Sequence, residues 1–348
     1  MQTVYVVGAG AGVDLGFPTG EQLKKNIANF LRCQVDQWGD CKKMDKTLKR
    51  IILTDQDSNK HTTDMALCNR IADSMPLSMS IDNFIDSNRD DERIASLSKI
   101  AIIKCIAESE KNSTIYGFSK QLKNYANLDN IWLSKLFQTL SQNCTLGELK
   151  NRFSQISFII FNYDRCVEEF LIRCVETVYG VKRGEAESTV NSIEFIHPYG
   201  SLGSLFKAKN NVIEFGKELD ATEIEELSSN IRTFTEGLRY VTQRERLQSV
   251  LNKAERIIFL GFAFHPINME LFKCVAEKKE PEKLIYSTTF GMSDSDKEMV
   301  TRQLESLFSV DASKIQTKDV TCSKLFSEYQ LSLGYIQRPQ LGPTCDSN

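Results

Sequence analysis

Residues 2–20 read QTVYVVGAGAGVDLGFPTG. Gln2 to Val7 form a β-branched and aromatic run that stops at Gly8, and the apolar residues resume with helical spacing at Leu23, Ile27, Phe30 and Leu31. That order predicts strand, glycine turn, helix. The segment Gly8, Ala9, Gly10, Ala11, Gly12 puts small residues where a backbone comes close to a neighbour, just ahead of a helix N-terminus that suits a pyrophosphate. It is not the G-x-G-x-x-G spacing, because Val13 stands where the third glycine belongs. A tight turn without ligand is the plainer alternative.

The strand pattern returns after Gly147. Ile156–Phe161 reads ISFIIF, Ile193–Ile196 ends at His197, Arg256–Leu260 reads RIIFL, and Leu284–Thr288 reads LIYST. Helical spacing follows near 165–179, 268–277 and 294–307. Apolar strands alternating with helices predict an α/β fold, a Rossmann-like parallel sheet with helices on both faces. Residues 33–147 carry charged helical patterns such as Asp91–Glu110 and Trp132–Leu140, and are expected to form a helical insertion into a domain made of 1–32 and 148–336. The last stretch, 337–348, has two prolines and little to bury, and reads as a flexible tail.

The unusual residues fall just after strand ends: Gly8–Gly12, Asn162–Asp164, His197–Ser201, Gly261–Asn268 and Thr288–Gly291. In a parallel sheet these five loops meet at one rim, where ligands bind. Asn162 after an apolar strand either caps a turn or points into a site. Asp164 has the position of a helix N-cap. His197 is either a structural hydrogen-bonding residue or a general base near pH 7. His265 reads as a surface or turn residue, and the pairs Glu168, Glu169 and Glu225, Glu226 as solvated helix faces.

Composition bounds the partners. The 348 residues carry 43 Lys and Arg against 46 Asp and Glu, a net charge of −3, which argues against nucleic-acid and membrane-surface binding. Apolar residues are 41%, enough for a core. The N-terminal apolar run meets glycines within a few residues and lacks a basic flank, so no signal peptide or membrane span is expected and the chain is expected in the cytoplasm. None of the ten cysteines stand three apart and the three histidines are scattered, so reduced thiols and no metal are expected.

Taken in order, the five loops resemble the sirtuin-type NAD-binding domain, and more closely its bacterial antiviral-defence branch. The resemblance rests on GAGAG with GFPTG (8–12, 16–20), FNYD (161–164), HPYGSLG (197–203), GFAFHPIN (261–268) and YSTT (286–289). It implies that Gly8, Ala9, Gly10, Gly12, Pro18 and Thr19 hold the NAD+ pyrophosphate side, with Gly12 in place of the family's serine. Asn162 would contact the nicotinamide ribose and order the nucleophile, and Asp164 completes the asparagine-aspartate pair. Tyr199, Gly200 and Ser201 would line the pocket, Gly261 and Phe262 the adenosine ribose, and Asn268 and Thr288 the adenine side. The family's catalytic histidine stands immediately before Gly-Ser, where this chain has Tyr199. His197, two positions earlier, is expected to reach the same pocket because an extended segment repeats its side every two residues.

Protein-deacylating sirtuins carry a four-cysteine zinc module, and this chain has no Cys-x-x-Cys. The resemblance therefore implies cleavage of NAD+ itself, an NAD+ hydrolase (NADase) with Asn162 positioning water and His197 as base, NAD+ being substrate and no metal needed. It further implies an abortive-infection effector, a homo-oligomer, and a HerA-type ring ATPase as regulatory partner. The alternative is a non-catalytic subunit that senses NAD+ or ADP-ribose.

Overall fold

The computed structural model describes residues 1–36, 41–53, 58–118, 128, 130–207, 212–239, 241–273 and 282–334. The tail expected at 337–348 and the end of the helix expected at 268–277 lie outside these residues. Among the described residues there are eight strands: β1 (Thr3–Val7), β2 (Gln34–Val35), β3 (Cys41–Lys43), β4 (Ile156–Ile160), β5 (Glu194–Ile196), β6 (Arg256–Leu260), β7 (Leu284–Thr288) and β8 (Ile315–Lys318). Six of them form one parallel sheet in the order β5-β4-β1-β6-β7-β8, and β2 and β3 form a small antiparallel hairpin. Numbered along the chain, the large sheet runs 3-2-1-4-5-6, the doubly wound order that reverses direction at its first strand. The fold is α/β and Rossmann-like, as expected.

β1, β4 and β6 are buried along their whole length, which is why they read as continuous apolar runs. Their side chains alternate between two cores. Val4, Val6, Ile159, Ile257 and Phe259 face one, and Tyr5, Val7, Phe158, Ile160, Ile258 and Leu260 the other. The first core is covered by the helices Gly20–Leu31, Ser58–Ser74, Ile81–Ser87 and Glu92–Asn112 together with Val241–Lys253, Pro266–Lys273 and Asp294–Phe308. The second is covered by Trp132–Ser141, Leu146–Phe153, Cys166–Tyr179 and Cys322–Glu328. The stretch 33–147 thus places helices on both faces and shares both cores. It also contains the hairpin, although its text shows no strand.

The described cysteines are free thiols, with Cys33, Cys68, Cys105, Cys166 and Cys322 buried. No helix among the described residues is long and apolar enough to cross a membrane.

Candidate functional site

The glycine loop is a 3-10 helix of just over two turns, Ala9–Leu15, with Gly8 as its N-cap. Its glycines serve the neighbouring loop first. A Cβ on Gly8 would lie 2.5 Å from the Gly261 carbonyl oxygen and 2.7 Å from Phe262 Cα, and Gly261 itself sits at φ 55°, where a Cβ would lie 2.1 Å from the Ala11 nitrogen. Gly8 N–H donates to Leu260 O (2.9 Å), Gly10 N–H to Gly261 O (3.0 Å) and Ala11 N–H to Gly8 O (3.0 Å). The loops after β1 and β6 are therefore zipped together by backbone. Among the described residues the Ala9 amide alone of Gly8 to Ala11 has no protein acceptor, so it is the donor left for a ligand. We expect Gly8→Ala to cost about 1–3 kcal/mol, the usual range for forcing atoms into a packed contact. Urea unfolding tests this, and a wild-type midpoint would refute the packing role.

Around this junction lies a cleft of about 660 Å³, within the ~300–1,000 Å³ of small-ligand sites. It opens at the carboxyl ends of β1, β4, β6 and β7, at the point where strand order reverses. It gathers Gly8, Ala9, Gly10, Pro18, Thr19, Asn162, Asp164, Tyr199, Gly261, Phe262, Asn268 and Thr288. A larger, more open depression of about 930 Å³ on the far side of the glycine loop touches the expected residues only at Pro18.

Each polar group in the cleft has a local job that fixes its direction. Thr19 caps the helix Gly20–Leu31 by a reciprocal box with Gln22: its Oγ1 accepts from Gln22 N–H (3.3 Å), and Gln22 Oε1 accepts from Thr19 N–H (2.8 Å). Thr288 Oγ1 accepts from Gly261 N–H (2.9 Å) and so holds the β6 loop. Asn162 Nδ2 donates to Gly8 O (3.2 Å), fixing the carboxamide plane. Its Oδ1 accepts no hydrogen bond from a described residue. Tyr199 donates its hydroxyl to Asn268 Oδ1 (2.6 Å), and burial keeps the phenol neutral by pushing its pKa far up. Asp164 is not the helix N-cap expected of it, which is Arg165; its Oδ1 accepts from Cys166 N–H (3.1 Å) in the turn ahead of the helix, and burial raises its pKa to about 6. Phe264 in the β6 loop holds φ 53°, an unusual conformation for a bulky residue and a sign of strain at the cleft.

His197, Gly200, Ser201 and Gly12 are not brought to the cleft. Gly12 is buried against Phe17, with 2.9 Å between a would-be Cβ and the Phe17 Cβ. The other three line a separate cavity of about 410 Å³. The period-two expectation for His197 and Tyr199 fails because the segment is a turn: Gly200 N–H donates back to His197 O (3.1 Å) with Gly200 at φ 81°. Tyr199 thus enters the cleft and His197 points away from it.

The ring of His197 lies between two acceptors, the Asn162 carbonyl (Nδ1, 3.2 Å) and Glu168 Oε1 (Nε2, 2.8 Å). A carbonyl and a carboxylate together call for two N–H donors, hence an imidazolium. Burial alone would depress its pKa, but the Glu168 carboxylate outweighs that and the net shift is upward from 6.5. With both ring nitrogens engaged, the ring presents no free nitrogen to the cleft. Its stabilising contribution is fully present below pH 6.5, the unfolded value, and is lost as pH rises through the raised folded value. An NMR titration is expected to place His197 above 6.5. A titration at or below that value would refute the ion pair.

Glu168 and Glu169 are buried rather than solvated, which corrects the reading of their helix. Glu168 pairs with His197, and Glu169 bonds Arg173 (2.7 Å) and Arg183 (2.6 Å). Burial would raise the Glu169 pKa, and Arg183 and Arg173 together more than offset it. Glu225 and Glu226 are exposed as expected.

Sequence reasoning missed the wall that 33–147 contributes to the cleft, formed by Met79, Ser80, Ile81, Asp82 and Ile106. It also missed Asp14, Glu21, His265 and Cys322. Burial and then the charge of Lys24 lower the His265 pKa. The one available signal for Asp82 was Ser80, a helix N-cap whose hydroxyl accepts from Asn83 N–H (3.1 Å). It fixes the helix start and says nothing of the cleft. No group of three or more His, Cys, Asp or Glu side chains among the described residues could hold a metal ion. The chain matches no family model and no curated protein, so the reading of the site rests on its own geometry and on the resemblance of its loops.

Proposed function

We propose that the cleft binds NAD+ and hydrolyses its nicotinamide–ribose bond, releasing nicotinamide and ADP-ribose. The observation that carries this reading is Asn162: it lines the cleft at the strand-order reversal, its amide is pinned to Gly8 O, and its Oδ1 is left as an acceptor. A fixed acceptor beside a glycine loop suits the positioning of water against the ribose carbon. Nicotinamide leaves as a neutral molecule while the ribose gains oxocarbenium character, so positioning and a nearby negative charge do most of what the protein must do. The Ala9 amide and the neighbouring small residues give the pyrophosphate a grip remote from the reacting carbon. His197 serves as a positioning residue, holding the Asn162 carbonyl from behind.

Antiviral defence by NAD+ depletion, a homo-oligomer and a ring-ATPase partner are supported by the loop resemblance and are proposed with the activity. A second reading, a non-catalytic NAD+ or ADP-ribose sensor, is favoured by one observation: the expected histidine base does not line the cleft. Incubating the purified protein with NAD+, alone and with any ATPase encoded beside it, and measuring nicotinamide by chromatography separates the two. Release supports the hydrolase. ADP-ribose binding with no release under either condition supports the sensor.

A further inference from the structure

We infer that Asp82, supplied by the stretch 33–147, is the carboxylate that takes the proton from the water attacking the ribose carbon. This rests on the NAD+ hydrolase reading above. Asp82 sits in the first turn of the helix Ile81–Ser87 and lines the cleft together with Asn162 and Tyr199. Its Oδ1 accepts the hydroxyl of Tyr163, the residue that follows Asn162, which anchors the carboxylate within the cleft. Tyr199, on the same wall, feels the charge of Asp82.

Among the other titratable groups of the cleft, Asp164, also raised to about 6 by burial, has its Oδ1 taken by the Cys166 amide (3.1 Å). His265 and Glu21 interact with Lys24 at the start of the helix Gly20–Leu31, and Asp14 interacts with Cys322. One turn along from Asp82, Asp86 Oδ1 is buried with no hydrogen-bond partner. Burial lifts the Asp82 pKa to about 6, the Tyr163 hydrogen bond offsetting part of that rise and the nearby Asp86 charge adding a little to it. A carboxylate of that strength is ionised at neutral pH and is still a useful base.

The step balances without another reactant. The water oxygen bonds C1′ of the ribose as the C1′–N1 bond breaks, and its electron pair leaves with nicotinamide, now neutral. The proton lost by water goes to Asp82 and then to solvent. Before the proton moves, the Asp82 charge faces the oxocarbenium-like ribose. This also explains why the helices of 33–147 pack into the sheet's own core: they deliver a reacting group and have to be held in register with Asn162.

The test is Asp82→Asn, which keeps an oxygen to accept from Tyr163, with Asp82→Glu as the conservative variant. Nicotinamide release is measured for wild type and both variants, and ADP-ribose binding by calorimetry. We expect Asp82→Asn to lose at least a hundredfold in kcat with ADP-ribose affinity within threefold of wild type, and Asp82→Glu to recover part of the rate. Wild-type turnover with Asp82→Asn retaining more than a third of it would overturn the assignment and leave the hydrolase reading standing. Parallel loss of ADP-ribose binding would also overturn it, by marking a structural role. No release by wild type under any condition defeats the hydrolase reading, and this assignment with it.

Discussion

Asn162→Ala is expected to reduce nicotinamide release by at least a hundredfold in kcat while ADP-ribose binding stays within a few-fold. The magnitude follows from what the side chain does. Removing one preorganised polar group aimed at a reacting centre typically lowers kcat by about 10²–10³. Asn162 is preorganised from both ends: Nδ2 is tied to Gly8 O at 3.2 Å, and its backbone carbonyl is held by the His197 ring at 3.2 Å. Alanine removes the free Oδ1 and the Gly8 tether together. Losing the tether costs the fold only about 1 kcal/mol, because it is a single partly exposed hydrogen bond. The protein should therefore remain folded, so lost turnover can be assigned to the site. A variant that keeps more than a tenth of wild-type turnover would remove Asn162 from the chemistry.

Legibility in the sequence followed burial. β1, β4 and β6 lie inside the sheet with both faces covered, so their text is apolar throughout and their limits are plain. β8 is an edge strand in which Ile315 alone is buried, followed by Gln316, Thr317 and Lys318, and nothing in that pattern marks a strand. The hairpin β2–β3 is exposed along most of its length and was invisible for the same reason. In the site, residues whose role is set by position after a buried strand were legible: Gly8, Asn162, Gly261 and Thr288 all reach the cleft.

What failed were inferences that needed a local backbone angle or a tertiary partner. The His197–Gly200 turn reverses the side on which His197 stands, and no residue pattern distinguishes that turn from an extended exit. The burial of Glu168 and Glu169 depends on His197, Arg173 and Arg183; Arg173 and Glu169 are spaced as an ordinary surface pair. Asp82 is 80 positions from Asn162 in the chain, and they line one cleft because the insertion folds back over the sheet rim.

That folding back is secured by the pair Glu110 and Arg165, and breaking it should be the most destabilising single change outside the aliphatic core. Glu110 lies near the end of the helix Glu92–Asn112, and Arg165 follows Asp164 at the mouth of the cleft. Their side chains are 0% and 1% exposed, and the contact is two-pronged, with Arg165 Nε to Glu110 Oε1 at 2.9 Å and Arg165 Nη2 to Glu110 Oε2 at 2.6 Å. The remaining capacity is filled: Arg165 Nη1 donates to Ile213 O (2.6 Å), and Glu110 Oε2 accepts from Gly216 N–H (3.2 Å). Glu110→Ala would leave a guanidinium buried without its counter-charge and an amide without its acceptor, at a cost of about 3–5 kcal/mol. Arg165→Met should cost a similar amount by stranding the carboxylate. The double variant Glu110→Leu with Arg165→Met removes both charges and should be more stable than either single change, because desolvating the pair offsets much of its attraction. Urea unfolding of the four proteins measures this. A Glu110→Ala protein within about 1 kcal/mol of wild type, below the cost of stranding a buried charge, would mean that solvent reaches the pair. The helices of 33–147 would then be held by their apolar contacts and by more exposed pairs such as Lys99–Glu236 and Lys111–Glu218, and the wall that carries Asp82 would have no buried charged lock.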